Sequence, residues 1–112
     1  MERERVVVYA DPDLSDLIPG YLDNRRKDVF AIKAAIVQKD MERIWMIGHI
    51  MKGNGSSYGF DAITTYGAAL EQGARMRDVE SVHQTVSRLE SYLDRVEVIY
   101  TGPGKVRLLQ GE

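Results

Sequence analysis

The strongest pattern in the sequence is a stripe of apolar residues that recurs every three or four positions. Between residues 78 and 96 the spacing is 3-4-3-4-3, and the members are Val79, Val82, Val86, Leu89, Leu93 and Val96. A preceding set has the spacing 3-4-3-4, with the members Phe60, Ile63, Gly67, Leu70 and Ala74. Such spacing places apolar side chains along one side of a helix. Two neighbouring amphipathic helices, at about 60–76 and 78–96, are therefore predicted.

Two further helices are predicted upstream. Asp40 is a capping residue for a helix whose apolar face recurs at the same intervals. The members of that face are Met41, Ile44, Ile47, Gly48, Met51 and Gly55. A first helical region extends over residues 14–38, and Asp11 and Pro12 are typical of a helix start. Pro19 predicts a kink, or a short separate helix at 14–18.

The two ends of the chain have the composition of strands. Residues 6–9 are β-branched and aromatic, which predicts a strand at about 5–9, and residues 96–100 predict a second. A Gly-Pro-Gly turn follows, and 105–109 could return as a hairpin strand. Because an isolated hairpin is marginal in water, the N-terminal strand is expected to join it.

The predicted fold is mainly α: an antiparallel four-helix bundle, about 13–96, with a small β-structure formed by the N- and C-terminal segments. Connections of a few residues favour antiparallel neighbours. The length of 112 residues suits a single domain spanning 1–112, too short for a nucleotide-binding catalytic domain plus a second unit.

Composition excludes several classes of function. The 15 basic and 17 acidic residues give a net charge of −2, without the basic surplus that nucleic-acid binding requires. Cysteine is absent, and the two histidines, His49 and His83, make a metal site unexpected. Without a run of 18 apolar residues or a secretory signal, no membrane association is expected, and the expected location is the cytoplasm.

His49 is predicted to be accessible to solvent. A rotation of about 100° per residue puts it nearly opposite the apolar face of its helix. Four other residues share this outer side: Trp45, Lys52, Gly53 and Ser56. Glycine within a helix costs about 1 kcal/mol against alanine, so each one here needs a reason. Gly53 would give a macromolecule access to the imidazole, whereas Gly48 and Gly55 fall toward the core and are explained by close helix packing.

The outer side of this helix also has surplus apolar residues, namely Trp45, Met46 and Ile50. A bundle helix that touches two neighbours would bury them. Alternatively, they form a docking patch around His49. The sequence leaves both interpretations open for Trp45 and Met46.

The stretch around His49 resembles the signature of histidine-containing phosphotransfer (HPt) domains. In that signature a His is followed by Lys three residues on, by Gly directly after the Lys, and by a Gly ten residues after the His. These positions are His49, Lys52, Gly53 and Gly59. The family often continues with a Leu-Glu pair and an Ala-Arg pair, which residues 70–71 and 74–75 match. The resemblance covers roughly 14–96, with specific residues only at 48–60.

Two residues depart mildly from the family pattern. Asn54 stands where a small Ser or Ala is common, and Tyr58 stands where an aliphatic residue is common. The terminal β-segments are not part of the core family pattern, and their role is open.

The resemblance implies a phospho-carrier without a kinase domain of its own. His49 would accept a phosphoryl group on Nε2 from a receiver-domain aspartyl-phosphate, or from a hybrid histidine kinase, and pass it to another receiver. Lys52 would supply positive charge and Ser56 a hydrogen bond. Partner contact is assigned to Trp45, Met46, Ile50 and Gly59. No cofactor is expected on this chain, since the receiver supplies Mg²⁺. A monomer is expected, and a dimer through the terminal strands stays open.

Other interpretations carry less weight. His83 flanks an apolar stripe without a Lys-Gly partner and is taken as a surface residue or a satisfied core residue, without a chemical role. The Gly-rich stretch 53–59 lacks the Gly-Lys-Ser/Thr ending of a phosphate loop. A histidine-kinase dimerisation helix would have an acid after the His and a Pro nearby, and Ile50 follows His49 instead. The main alternative is a non-catalytic helical adaptor that binds a partner through the outer face of the second helix.

Overall fold

The chain is mainly helical, with four helices and two short strands. A computed structural model describes residues 4–101. Its elements are β1 (Val6–Ala10), a first 3₁₀ turn (Pro12–Leu14), α1 (Ile18–Gln38), α2 (Met41–Asn54), a second 3₁₀ turn (Ser56–Tyr58), α3 (Asp61–Arg75), α4 (Val79–Arg95) and β2 (Val96–Tyr100). The prediction of a mainly α chain with four helices is confirmed. The hairpin strand expected at 105–109 lies outside the described residues.

Aspartate side chains set the starts of two helices, as local capping chemistry predicts. The Asp40 carboxylate accepts a hydrogen bond from the backbone N–H of Arg43 at 3.1 Å, which caps α2. Asp78 accepts from the N–H of Ser81 at 3.1 Å and caps α4. Each such cap satisfies an N–H that the helix itself leaves unpaired, and removing one costs about 1 kcal/mol.

The predicted kink at Pro19 is wrong. The helix begins at Ile18, so Pro19 lies in its first turn, and α1 continues unbroken to Gln38. In that position the missing backbone N–H of proline has no helical partner to lose. The short separate helix expected at 14–18 is also wrong, because the chain instead makes a 3₁₀ turn over Pro12–Leu14, capped by Asp11.

The helices contact one another in a closed cycle. Interfaces join α1 to α2, α2 to α3, α3 to α4 and α4 back to α1, and the interface between α2 and α3 is the most extensive. All four helices contribute to one core, whose largest fully buried side chains are Phe60, Ile18, Ile32, Ile44, Met51, Ile63, Leu70, Leu89, Val82 and Val86. Val79, predicted as part of the α4 stripe, is exposed because it lies in the first turn of that helix.

The two strands pair with each other in parallel. Val6 lies opposite Val96, and the register continues to Ala10 opposite Tyr100. The N-terminal strand is therefore one residue later than predicted, whereas the strand at 96–100 is confirmed. Alternate residues of the ladder pack against the helical core, and they are Val6, Val8, Ala10, Val96, Val98 and Tyr100.

Candidate functional site

His49 projects from the outer side of α2, as the helical geometry predicts. Its side chain is 56% exposed, and its Nδ1 lies 2.5 Å from Oε2 of Glu71 on α3. The second carboxylate oxygen of Glu71 accepts a hydrogen bond from Nζ of Lys52 at 2.8 Å. A single carboxylate thus joins the histidine and the lysine of the sequence pattern.

The ionisation of Glu71 determines which nitrogen of His49 carries a proton. The hydrogen bonds from Lys52, and secondarily from His49, hold the pKa of the Glu71 carboxyl below its ordinary value. An ionised carboxylate only accepts hydrogen bonds, so Nδ1 of His49 must be the donor. In the neutral imidazole the lone pair then resides on Nε2, the nitrogen that points away from this contact.

Two glycines bring α3 close enough for Glu71 to reach these partners. A Cβ built on Gly48 would lie 2.8 Å from the backbone N of Glu71 and 2.8 Å from the carbonyl oxygen of Gly67. A Cβ on Gly67 would clash with the backbone N of Lys52. The predicted packing role of Gly48 is confirmed, and at Gly67 the backbone of α2 also makes a close approach.

One face of the imidazole is covered by Trp45. The two rings stack with centroids 4.9 Å apart and planes 7° apart. Trp45 is half-buried and also packs against the hydrophobic core. The indole is therefore partly buried against the core, and it also contacts the exposed ring of His49.

Two apolar side chains on α2 remain exposed beside this arrangement. Met46 is 54% exposed and Ile50 is 56% exposed. Among residues 4–101 no second helix buries them, so in this part of the chain they belong to the outer surface of α2. Met46 directly follows Trp45 in the sequence, and Ile50 directly follows His49.

The glycines after His49 differ in their surroundings. A Cβ on Gly53 would meet no atom within 4 Å among the described residues, so this position is open to solvent. A Cβ on Gly55 would lie 2.5 Å from the backbone N of Thr64, which confirms a packing role. Gly55 is not in mid-helix, however, because α2 ends at Asn54 and Gly55 caps it. Gly59 ends the second 3₁₀ turn with a left-handed φ of 92°, which favours glycine.

Ser56 does not share the outer helical face with His49, so that placement is wrong. The helix ends before it, and Ser56 begins the second 3₁₀ turn. Its hydroxyl donates to Oγ1 of Thr64 at 3.1 Å, and its backbone N–H donates to the same oxygen at 2.8 Å. Ser56 thus joins the end of α2 to α3.

The two residues that depart from the family pattern contact the same tyrosine on α1. The Tyr21 hydroxyl donates to Oδ1 of Asn54 at 2.8 Å, and the Tyr58 ring stacks on the Tyr21 ring with centroids 4.2 Å apart. Arg25, largely buried, donates to the same Asn54 oxygen at 3.3 Å. Its Nε forms an ion pair with the Asp28 carboxylate at 2.8 Å. Asn54 and Tyr58 therefore fasten α1 to the end of α2.

Glu71 is the site residue that sequence reasoning missed. The Leu70-Glu71 pair was matched to the family pattern, but no role was assigned to its carboxylate. The signal available was the position of Glu71 four residues after Gly67, on the same side of the helix. Of the two positions that the sequence leaves open for His83, the surface position is found, because His83 is exposed on α4.

Within residues 4–101, no three His, Cys, Asp or Glu side chains are grouped so that they could hold a metal ion. No helix in the described part of the chain is both long and apolar enough to cross a membrane. Comparison with models of protein families, with curated proteins and with solved structures gives no match for this chain.

Proposed function

We propose that this chain is a phospho-carrier of the histidine-containing phosphotransfer kind, acting in a two-component phosphorelay. His49 accepts a phosphoryl group from the aspartyl-phosphate of a receiver domain and passes it to another receiver. The observation that carries this proposal is the Glu71 carboxylate, which accepts from Nδ1 of an exposed histidine and from the neighbouring lysine. That arrangement keeps the proton on Nδ1 and the lone pair on Nε2.

The transfer requires little from the chain itself. The Nε2 lone pair forms a bond to phosphorus, the bond between phosphorus and the aspartate oxygen breaks, and its electron pair returns to the aspartate carboxylate. The Nδ1 proton stays in its hydrogen bond to Glu71. The receiver brings the Mg²⁺ and the acidic residues, so the carrier needs neither an ATP site nor a metal of its own.

Lys52 supplies the positive charge of the site. Its ammonium group is partly exposed and lies one helical turn after His49, bound to Glu71. A cation there favours the approach of a phosphoryl group and the negative charge that develops on its oxygens. Ser56 is left out of this role because its hydroxyl is directed to Thr64.

The docking surface for the receiver is the outer side of α2, formed by Met46, Ile50 and the open backbone at Gly53. Apolar side chains in the centre of a contact are typical of protein interfaces. The proposal also includes an antiparallel arrangement of the four helices, a monomeric single domain and a cytoplasmic location.

The direct test is labelling from a panel of receivers that carry phosphate on their aspartate. The wild-type protein should acquire acid-labile, base-stable label, and His49→Gln should acquire none. Lys52→Ala should slow the transfer without unfolding the protein. Failure of every receiver to label the wild type, or full labelling of His49→Gln, would refute the proposal.

A second candidate is a non-catalytic adaptor, which the exposure of Met46 and Ile50 favours. In that case a receiver or other signalling partner binds the outer face of α2 without phosphate moving. Binding that is equal for the wild type and His49→Gln, together with no labelling of either, would favour the adaptor.

A further inference from the structure

We infer that Trp45 is a positioning residue that sets the plane of the His49 ring and stabilises the positive charge this ring acquires during phosphorylation. The inference rests on the proposed function and extends it to a residue outside the His-Lys-Gly pattern. The juxtaposition that supports it is the parallel stack of indole on imidazole, with a centroid separation of 4.9 Å.

The indole is suited to hold another side chain because it is itself held. Trp45 and His49 are four residues apart on α2, a spacing that puts side chains next to each other along a helix. Trp45 is half-buried and packs against the core, whereas more than half of the His49 side chain is exposed. The anchored ring therefore restricts the motion of the exposed one.

Trp45 and Glu71 restrain the imidazole in complementary ways. The Glu71 carboxylate contacts the edge of the ring at Nδ1, in the plane of the ring. Trp45 contacts a face of the ring, which opposes tilting out of that plane. Within residues 4–101, Nε2 is the ring nitrogen that has no hydrogen bond. The two restraints together present Nε2 to an incoming phosphoryl group, and reaction rates are sensitive to such alignment.

The charge that develops on the ring gives Trp45 a second effect. When the Nε2 lone pair forms the bond to phosphorus, the imidazole still carries its Nδ1 proton and becomes cationic, while the bond from phosphorus to the leaving group breaks. A cation over an indole face is stabilised by the electrons of that face. Within residues 4–101, the Glu71 carboxylate contacts this ring and also pairs with the Lys52 ammonium, and that ion pair offsets part of the charge of each.

The inference is tested with phosphoramidate, a small donor that phosphorylates histidine without a receiver. Trp45→Leu keeps an apolar side chain but removes the aromatic face, and we expect its rate at Nε2 to fall by about two- to fivefold. Trp45→Phe keeps an aromatic face, so its phosphorylation rate should fall less. Phe30→Leu, an equivalent change at an exposed position of α1, is the matched control and should keep the wild-type rate. Urea unfolding of each variant shows whether it is folded in the assay.

Nuclear magnetic resonance provides a readout that a merely structural residue would not change. The indole should shift the His49 ring protons upfield, with His83 as an internal reference, and this shift should vanish in Trp45→Leu. At a saturating receiver concentration, the same variant should transfer phosphate more slowly than the wild type. A wild-type phosphoramidate rate in folded Trp45→Leu, or unshifted His49 protons in the wild type, would overturn the inference.

The inference and the proposed function can fail separately. If no receiver labels the wild type but phosphoramidate still labels His49 more slowly in Trp45→Leu, the positioning role stands and the carrier function does not. If receivers label the wild type and both Trp45 variants at the same rate, the carrier function stands and the positioning role is overturned.

Discussion

Gly67 of α3 lies directly against the backbone of Lys52 of α2, so that a Cβ on this glycine would come within 2.9 Å of the Lys52 Cα. Glu71 follows Gly67 by four residues and therefore lies on the same side of α3. The contact between these two backbones is what brings the Glu71 carboxylate to the side chains of His49 and Lys52.

Gly67→Ala should separate α2 from α3. The added methyl group meets backbone atoms, which cannot move as a flexible side chain could, so we expect the free energy of unfolding to fall by about 1–3 kcal/mol. Phosphorylation of His49 should slow as well, because Glu71 is withdrawn. Urea unfolding and phosphoramidate labelling measure the two effects. Gly53→Ala, also in a helix but facing open space, serves as the stability control and should be unchanged or slightly more stable. Equal stability of the two variants would contradict this account of α2–α3 packing.

A bulky residue at Gly53 should weaken receiver docking without changing the stability of the fold. Because a side chain at this position meets no described neighbour, Gly53→Leu should leave the free energy of unfolding nearly unchanged. The same side chain would stand beside His49 on the docking surface and raise the receiver concentration needed for half-maximal transfer several-fold. Urea unfolding measures the free energy of unfolding, and receiver titrations measure the receiver concentration needed for half-maximal transfer. A large loss of stability with unchanged docking would make Gly53 a packing residue.

The helix boundaries show which parts of this fold follow from local sequence. Asp40 and Asp78 cap their helices through N–H groups three residues away, so the starts of α2 and α4 could be predicted from neighbouring residues alone. The end of α2 could not, since Gly55 keeps helical dihedral angles and the chain then tightens into a 3₁₀ turn held by Thr64. For that reason Ser56 was misplaced.

Glu71 should make stability depend on pH in the acid range. Its pKa is lowered in the folded protein, chiefly by the Lys52 hydrogen bond, from an ordinary value of 4.5. The carboxylate therefore stabilises the fold fully above that ordinary value, and this contribution is lost as the pH falls through the lowered pKa. Glu71→Gln lacks the titrating group, so the stability difference between wild type and variant should shrink on acidification. Urea unfolding of both proteins at a series of pH values measures it, and a difference that stays constant into strong acid would contradict the prediction.

The position of Glu71 itself depends on distant parts of the chain. It lies 22 residues after His49, and its contact forms only because glycines on two different helices allow their backbones to touch. The stripe that predicted α3 says that the helix has a buried side, but not how close its neighbour comes. The exposed His49 could thus be predicted from helical geometry, whereas the partner of its Nδ1 could not.

Asn54 and Tyr21 should act as a coupled pair. Burial raises the pKa of Tyr21, so its hydroxyl keeps the proton that it donates to Asn54. Asn54→Ser replaces the amide with a shorter side chain, so the Tyr21 hydroxyl and the Arg25 guanidinium lose their acceptor. The free energy of unfolding should fall by about 1–3 kcal/mol. Tyr21→Phe should lower the free energy of unfolding by about 1 kcal/mol. The double variant should lower it by less than the sum of the two single changes. Urea unfolding of the four proteins tests this, and strict additivity would show that the two residues act independently.

The parallel ladder has a mechanical consequence for whatever is attached to this domain. Because Val6 pairs with Val96 and Ala10 with Tyr100, the chain enters β1 at one end of the ladder and leaves β2 at the other. Tension applied through the two ends would pull the strands past each other and load all of their hydrogen bonds together, in shear. In an antiparallel pair pulled in the same way, the hydrogen bonds would break one after another from one end. The parallel pair would therefore resist such tension better than an antiparallel pair, and in the chain the two strands flank the helices that carry the His49 site.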